Sequence, residues 1–378
     1  MQTITGRNTR DGRPVAITME AGVVTAISAG REDEVAWIAP GFIDLQVNGY
    51  GGDDVNGEGI EPETMVSLAR RMAATGVTTF LPTIITTSEA KITAALRVIA
   101  SARRHSPLVA AMVPYVHLEG PHISAVDGPR GAHPAEHVRP PSLLEFERWQ
   151  AASGGLVGMI TLSPHFAGME EYIADVTARG VYVALGHTDA TPEQMRRAVD
   201  AGARLSTHLG NGIGATLPRH RNVLWTQMAE DRLTATLIAD SHHLPADALK
   251  SIMRAKGIER TILVSDAVAV AGMAPGCYDT AVGGRVELHA NGRLSLAGTE
   301  FLAGAALPLK DGVARAVAMT GVSLGDAVSM ATKNPGRFVG DRGVLRVGAR
   351  CDVVRFSIED GGRGMLIDSV FVAGERVA

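Results

Sequence analysis

Four short apolar runs between Val181 and Ala267 constrain this chain more than anything else in it. They read VYVALGHTDAT, RLSTHLGN, ATLIADSHHL and TILVSDA, and each delivers polar side chains near its end: His187, His208, the pair His242/His243, and Asp266. Each run is rich in Val, Ile, Leu, Ala or Thr, as a strand covered on both faces has to be. Their ends are spaced by roughly twenty to thirty-five residues, room for one crossover helix and little more. Parallel strands joined by helices, with polar groups at the strand C-termini, are how a (β/α)8 TIM barrel presents a site. The pattern predicts that these residues converge in space although they lie far apart in sequence.

The 378 residues exceed the roughly 250 of a bare barrel, so a second, smaller domain is expected. Residues 1 to about 38 read as short strands, TITGRNTR, RPVAITME and VVTAIS, separated by Asp-Gly and Ala-Gly turns that suit hairpins. The C-terminal tail, GVLRVGARCDVVRFSIEDG and then GMLIDSVFVAGERVA, has the same texture. Both ends are therefore expected to form one small β-sandwich, residues 1–39 with 340–378, beside a barrel domain of residues 40–339.

Between them the chain alternates. IAPGFIDLQVNGYGG gives a first barrel strand with Gln46 and Asn48 near its end, and PETMVSLARRMAATG a helix stopped by Gly76. VTTFLPTII is the second strand, and Ser88 is placed to cap the helix EAKITAALRVIASARRH. AMVPYVHLEGPH, the third strand, ends in Glu119, and LVGMITLSPH is the fourth. Counting to Val264 gives eight strands. A hairpin pair is expected around YDTAVGGRVELHANGRLSLAGT, then helices over about Ala305–Met319 and Leu324–Thr332.

Glu119, His187 and His208 stand at the ends of strands three, five and six. Three N and O ligands that leave a position open make a catalytic zinc site, and iron or manganese would accept the same set. Such an ion lowers the pKa of a bound water to about 7. Asp266, on the last strand, is placed to take a proton and return it to a leaving amine. The chemistry implied is hydrolysis of an amide or related bond. His117, two residues before Glu119, is read as lumen filling and His165 as a loop residue. His105, His220 and His289 are read as surface or packing residues. A net charge of −4 gives no nucleic-acid footprint, and 4% aromatic residues offer no stacking platform. Cys277 and Cys351 share no ligand-like spacing and are read as inert thiols. With no apolar leader and no run of 18 or more apolar residues, a cytoplasmic enzyme is expected.

At these residues the chain resembles the N-acetylglucosamine-6-phosphate deacetylases of the amidohydrolase superfamily. The motifs that carry the resemblance are APGFIDLQVNGYGGDD, HLEGPHIS, GHTDAT, THLGNG, IADSHHL, VSDA, LAGT and ATKNPGRFVG, with GVLRVGARCDVV beyond them. They come in family order over nearly the full length. The resemblance implies the barrel and a sandwich built from both termini. It also implies Glu119, His187 and His208 as metal ligands and Asp266 as general base and acid. Gln46-x-Asn48 stands where many amidohydrolases carry a His-x-His pair, which implies one divalent ion: zinc by expectation, with iron, manganese or cobalt compatible. His133 matches the histidine that polarises the substrate carbonyl, Asn211 and Gly212 a substrate-contacting pair, and His243 the histidine on the sugar-phosphate side. Arg219 matches an arginine that reaches a neighbouring subunit's phosphate, which implies a homodimer.

The departures fall on the substrate side. Gly210 and Gly212-Ile213 replace an aromatic and Ala-Met, LPRHRNVLW replaces a Gly-Arg-Glu-Pro-Gly turn, Asp240-Ser241-His242-His243 replaces Asp-Gly-x-His, and Ser163-Pro164-His165 replaces Ala-Pro-Glu. The function expected is removal of the N-acetyl group from an amino sugar, foremost N-acetylglucosamine 6-phosphate. The alternatives are a related amidohydrolase acting on another N-acyl or cyclic amide, and a non-catalytic homologue.

Overall fold

A computed structural model describes residues 1–281, 283–359 and 361–378. Eight strands stand side by side in chain order: Phe42–Val47, Val77–Ile85, Val116–Glu119, Val157–Leu162, Tyr182–Leu185, Leu205–Ser206, Thr234–Ile238 and Thr261–Val264. Every neighbouring pair is parallel. The last and first strands close the ring at its C-terminal end through a Val47–Ala267 bridge, where Asn48 N donates to Ala267 O at 2.8 Å. Six of the eight strands are buried at every residue, which is why their sequences run apolar without alternation. Ile43, Leu45, Leu81, Met159, Ala184, Leu205, Ile238, Ile262 and Val264 fill the lumen, while the outward side chains pack under the helices.

Those helices start where the local chemistry favours a start. Ser88, Ser142, Thr191 and Asn222 each accept a main-chain N–H of the first turn, opening helices Glu89–His105, Leu143–Ser153, Pro192–Asp200 and Val223–Ala229. Two expected boundaries move. The third strand begins only at Val116, because Ser106 and Pro107 start a short helix, Pro107–Met112, that takes in Ala111 and Met112. The helix expected from Ala305 runs over Leu309–Thr320 instead: Ala305 is committed to a bridge with Ala267, and Pro308 precedes the first turn.

The first strand has an irregularity that matters for the site. Asp44 pairs with Phe80 and Val47 with Pro82, so three residues on one strand span two on the other. Pro82 has no N–H to continue the ladder, and a bulge opposite it resolves the conflict. Val47 N takes the Thr83 hydroxyl as acceptor instead, at 3.1 Å. Asp44 is fully buried; its Oδ1 accepts from Ser265 N at 3.1 Å and Gln46 N at 3.3 Å, while Oδ2 has no partner among the described residues. Burial pushes its carboxyl up to about 7, against bonds from Ser265 and Gln46 that favour the charged form. The folded chain therefore holds this proton at pH values where the unfolded chain, with an ordinary 3.8, has released it. The resulting stabilisation is complete below about pH 4 and is lost as the pH rises through 7. Urea unfolding at pH 5 and pH 8 should show wild type losing about 3 kcal/mol relative to Asp44→Asn over that interval. Parallel losses in both proteins would mean that Asp44 does not titrate there.

Both termini build the second domain, as one seven-stranded sheet. Its order is Glu375–Arg376, Met365–Val372, Val353–Ile358, Trp37–Pro40, Gln2–Asn8, Pro14–Glu20 and Val23–Ala29. The sheet curls until its edges meet: Val23 bridges Arg350, Val24 N donates to Ala349 O, and the Gly22 turn lies against Ala373 and Gly374. The two layers expected from the sequence are thus halves of one folded-over sheet, enclosing Ile4, Ile17, Met19, Val24, Ile38, Val353 and Phe371. The segment after Asp266 forms a three-stranded antiparallel sheet, Gly276–Thr280, Gly284–Leu288 and Leu294–Leu296, above the barrel mouth. Among the described residues no helix is long and apolar enough to cross a membrane.

Candidate active site

At the C-terminal mouth of the barrel the strand ends meet around a cavity of about 210 Å³. Glu119, His133, His187, His208, Asn211, Gly212, His243 and Asp266 all line it, with Asn48 from the first strand. Arg219 does not: its side chain is exposed on the 215–221 loop, and its main-chain carbonyl accepts from Trp225 Nε1. Leu302, Ala303 and Gly304, from the segment leading out of the three-stranded sheet, close one wall that sequence reasoning missed. A larger cavity of about 590 Å³ lies between residues 55–60 and the Glu89–His105 helix, but its Lys91 and Glu58 are paired to one another.

Three donor atoms face a common point. His187 Nε2 and His208 Nε2 are 3.0 Å apart, and each lies 3.1–3.2 Å from Glu119 Oε1. His187 Nδ1 donates to Pro129 O at 2.9 Å; a carbonyl only accepts, so in the neutral ring the Nε2 facing the other two atoms is a bare lone pair. Lone pairs converging in this way repel unless a cation lies among them. Ligand atoms around a tetrahedral ion with bonds near 2.1 Å stand roughly 3.4 Å apart, so the set present fits a divalent metal with little adjustment. His133 also brings a ring nitrogen to within 4.8 Å of the Glu119 and His187 ligand atoms. His208 is much closer, and it completes the better three-ligand set. Burial pushes the Glu119 carboxyl up, but hydrogen bonds and charge from His187 and His208, present when those rings carry a second proton, outweigh it and hold the group well below 4.5. Burial likewise lowers His208, keeping it neutral and able to bind.

The supporting contacts explain why these side chains point as they do. Gln46 Nε2 donates to Glu119 Oε1 at 2.9 Å, so the first strand offers an amide N–H where a metal-binding imidazole would offer a lone pair. Gly212 has φ +59, and a Cβ there would lie 3.1 Å from His187 Nδ1 and 3.2 Å from His208 Cε1; glycine lets this loop close over both rings. His187, His208 and Asp266 themselves have φ of +48°, +30° and +51°. Non-glycine residues seldom adopt this region, and the surrounding hydrogen bonds must hold them in it.

Asp266 Oδ1 accepts from Asn48 Nδ2 at 2.8 Å. Burial first, and the Glu119 charge next, raise its carboxyl well above 3.8, with the Asn48 bond working against them. His133 is pushed down to about 3, mainly by burial, and is neutral. Its Nδ1 lies 2.9 Å from the Thr86 hydroxyl; when that hydroxyl donates, the ring carries its proton on Nε2. His243 Nδ1 donates to Asp240 Oδ2 at 2.7 Å, while Asp240 Oδ1 accepts the main-chain N–H groups of His242 and His243. Thr86 and Asp240 are contacts that the sequence did not single out; Asp240 lay within the IADSHHL motif, and Thr86 carried no signal.

The remaining histidines have other duties. His117 bonds Leu45 O through Nδ1 at 3.0 Å and Thr161 Oγ1 through Nε2 at 2.8 Å, filling the lumen below the site. His165 Nδ1 meets Ser163 Oγ at 2.7 Å, and His242 Nε2 meets Asn291 O at 3.2 Å, tying this loop to the three-stranded sheet.

Known proteins resemble this chain over nearly its whole length. Residues 37–377 match the model of the Amidohydrolase family. The N-acetylgalactosamine-6-phosphate deacetylase of Escherichia coli O157:H7 is 32% identical over 94% of this chain and 92% of its own. The N-acetylglucosamine-6-phosphate deacetylase of Bacillus subtilis is 32% identical over 84% and 80%. Among solved structures, a mutant N-acetyl-D-glucosamine-6-phosphate deacetylase from Mycobacterium smegmatis, in complex with N-acetyl-D-glucosamine-6-phosphate, superposes with a TM-score of 0.86 at 30% identity, covering 97% of this chain and 95% of that one. The chain belongs to the amidohydrolase family and, within it, to the N-acetylglucosamine-6-phosphate deacetylases.

Proposed function

We propose that this hydrolase removes the N-acetyl group of N-acetylglucosamine 6-phosphate, releasing acetate and the free amine. The observation that carries the reading is the convergence of Glu119 Oε1, His187 Nε2 and His208 Nε2 beside the buried carboxyl of Asp266. Those three residues would hold one divalent ion, with zinc proposed from the N₂O donor set. When bound, such an ion acidifies water and polarises a carbonyl. Asp266 takes a proton from the attacking water at its free carboxylate oxygen and returns it to the departing amine, while Asn48 keeps the other oxygen in place. His133 donates from Nε2 to the acetyl oxygen, which requires the Thr86 hydroxyl to donate to its Nδ1. Asn211, Gly212 and His243 line the same cavity and receive the sugar.

Arg219 is exposed and lies outside its own chain's cavity, which suits the proposal that it reaches the phosphate in a second copy within a homodimer. A cytoplasmic setting fits a phosphorylated sugar substrate. The E. coli relative named for the galacto epimer motivates a second reading, N-acetylgalactosamine 6-phosphate. Acetate release by zinc-loaded protein should be compared for both phosphorylated sugars and for unphosphorylated N-acetylglucosamine. Turnover highest for N-acetylglucosamine 6-phosphate is expected; preference for the galacto epimer supports the second reading, and turnover of neither rejects both.

A further inference from the structure

The geometry points to Asp44 as a positioning residue for Asp266, acting through the main chain of Ser265; the inference rests on the role proposed above for Asp266. Asp44 occupies the start of the bulge in the first strand, where the ladder to the second strand is broken opposite Pro82. On its other side, the first strand meets the last through one backbone bridge, Val47–Ala267. Side chains make up the rest of that seam. Asp44 Oδ1 accepts from Ser265 N at 3.1 Å and from Gln46 N at 3.3 Å. Ser265 Oγ donates to Gln46 O at 3.4 Å and accepts from Ala267 N at 3.1 Å.

The residues on both sides of Asp266 are therefore pinned to the first strand, and Asp266 is held between them at a φ of +51°. Its carboxylate is then met by Asn48, four residues beyond Asp44 on that strand. Without the Asp44 acceptor the Ser265 N–H is buried and unpaired, and one of the bonds that hold the strained turn against relaxation is gone. Asp44 also accepts from Gln46 N, and Gln46 Nε2 reaches Glu119 Oε1, so bound zinc is the readout that separates an effect on Asp266 from one on the metal ligands.

The test compares wild type, Asp44→Ala and Asp44→Asn as full-length zinc-loaded chains, reading kcat, KM, bound zinc and the crystal structure. Asp44→Ala is expected to lose on the order of 10- to 100-fold in kcat, the scale of a misplaced catalytic group, with KM within about twofold and bound zinc unchanged. Asp44→Asn keeps an Oδ1 that accepts both N–H groups, and is expected to restore kcat to within about threefold of wild type. In the crystal, Asp266 should leave Asn48 in the Ala variant and stay in the Asn variant. An Ala variant with unchanged kcat, one whose loss follows loss of zinc, or one with Asp266 unmoved overturns the inference. If wild type turns over no sugar, the deacetylase reading fails, while the position of Asp266 in the two crystals still decides this one. Should Asp44→Ala not fold, Asp44→Ser, which leaves a smaller cavity, takes the same measurements.

Discussion

Asp266→Asn is expected to lower kcat by on the order of 10²- to 10⁴-fold while leaving bound metal and KM close to wild type. An amide can keep the bond with Asn48 through its oxygen but cannot accept and return a proton. The group is well placed for the task because its environment raises its carboxyl far above the ordinary aspartate value, burial being the main cause and the charge of Glu119 the next. A base works only when ionised. In wild type, kcat should therefore rise with pH along a limb lying above the normal carboxylate range, and that limb should be absent from the residual activity of the Asn variant. A variant retaining more than a tenth of wild-type kcat would remove Asp266 from the proton pathway.

Removal of the metal should have the larger effect still. Prolonged chelation is expected to reduce turnover to background, and zinc should restore it. The second readout is thermal: an ion present at about 1,000 times its dissociation constant stabilises the folded chain by about 4 kcal/mol, so the melting temperature should fall by several degrees on chelation. Glu119→Gln should reproduce both changes and resist rescue. Its amide would turn either a weaker ligand oxygen or an N–H toward two imidazole nitrogens now 3.1–3.2 Å from the carboxylate. Metal analysis should give one ion per wild-type chain. Gln46 Nε2, already donating to Glu119, has no lone pair to offer a second. Two tightly bound ions per chain would contradict the single-ion reading, and an unchanged melting temperature on chelation would remove these residues as the metal site.

Much of this could be read in the chain before its coordinates. Buried parallel strands need apolar residues on both faces, and a barrel puts its polar exceptions at one end; those two rules brought Glu119, His187, His208 and Asp266 together on paper. Serine, threonine and asparagine at helix starts are local signals, and Ser88 was placed correctly from local chemistry alone. Where two elements competed for the same residues, local pattern failed. Ala111 and Met112 suit a strand as well as they suit the end of the Pro107–Met112 helix, and Ala305 looked helical until its bridge to Ala267 was known.

The sequence by itself determined the number and order of the barrel strands, the pairing of both termini into one domain, and which polar side chains stand at strand ends. Those follow from side-chain periodicity and turn chemistry, which act over a few residues. Only the tertiary structure decided which group holds which. That Gln46 bonds Glu119, that Asn48 and Asp44 secure Asp266 and its turn, and that Thr86 and Asp240 orient His133 and His243 depend on contacts between segments distant in the chain. The bulge opposite Pro82 shifts the register locally, and one residue of register reverses the face a side chain presents. No local pattern carries that information, because the proline and the residues it displaces lie on different strands.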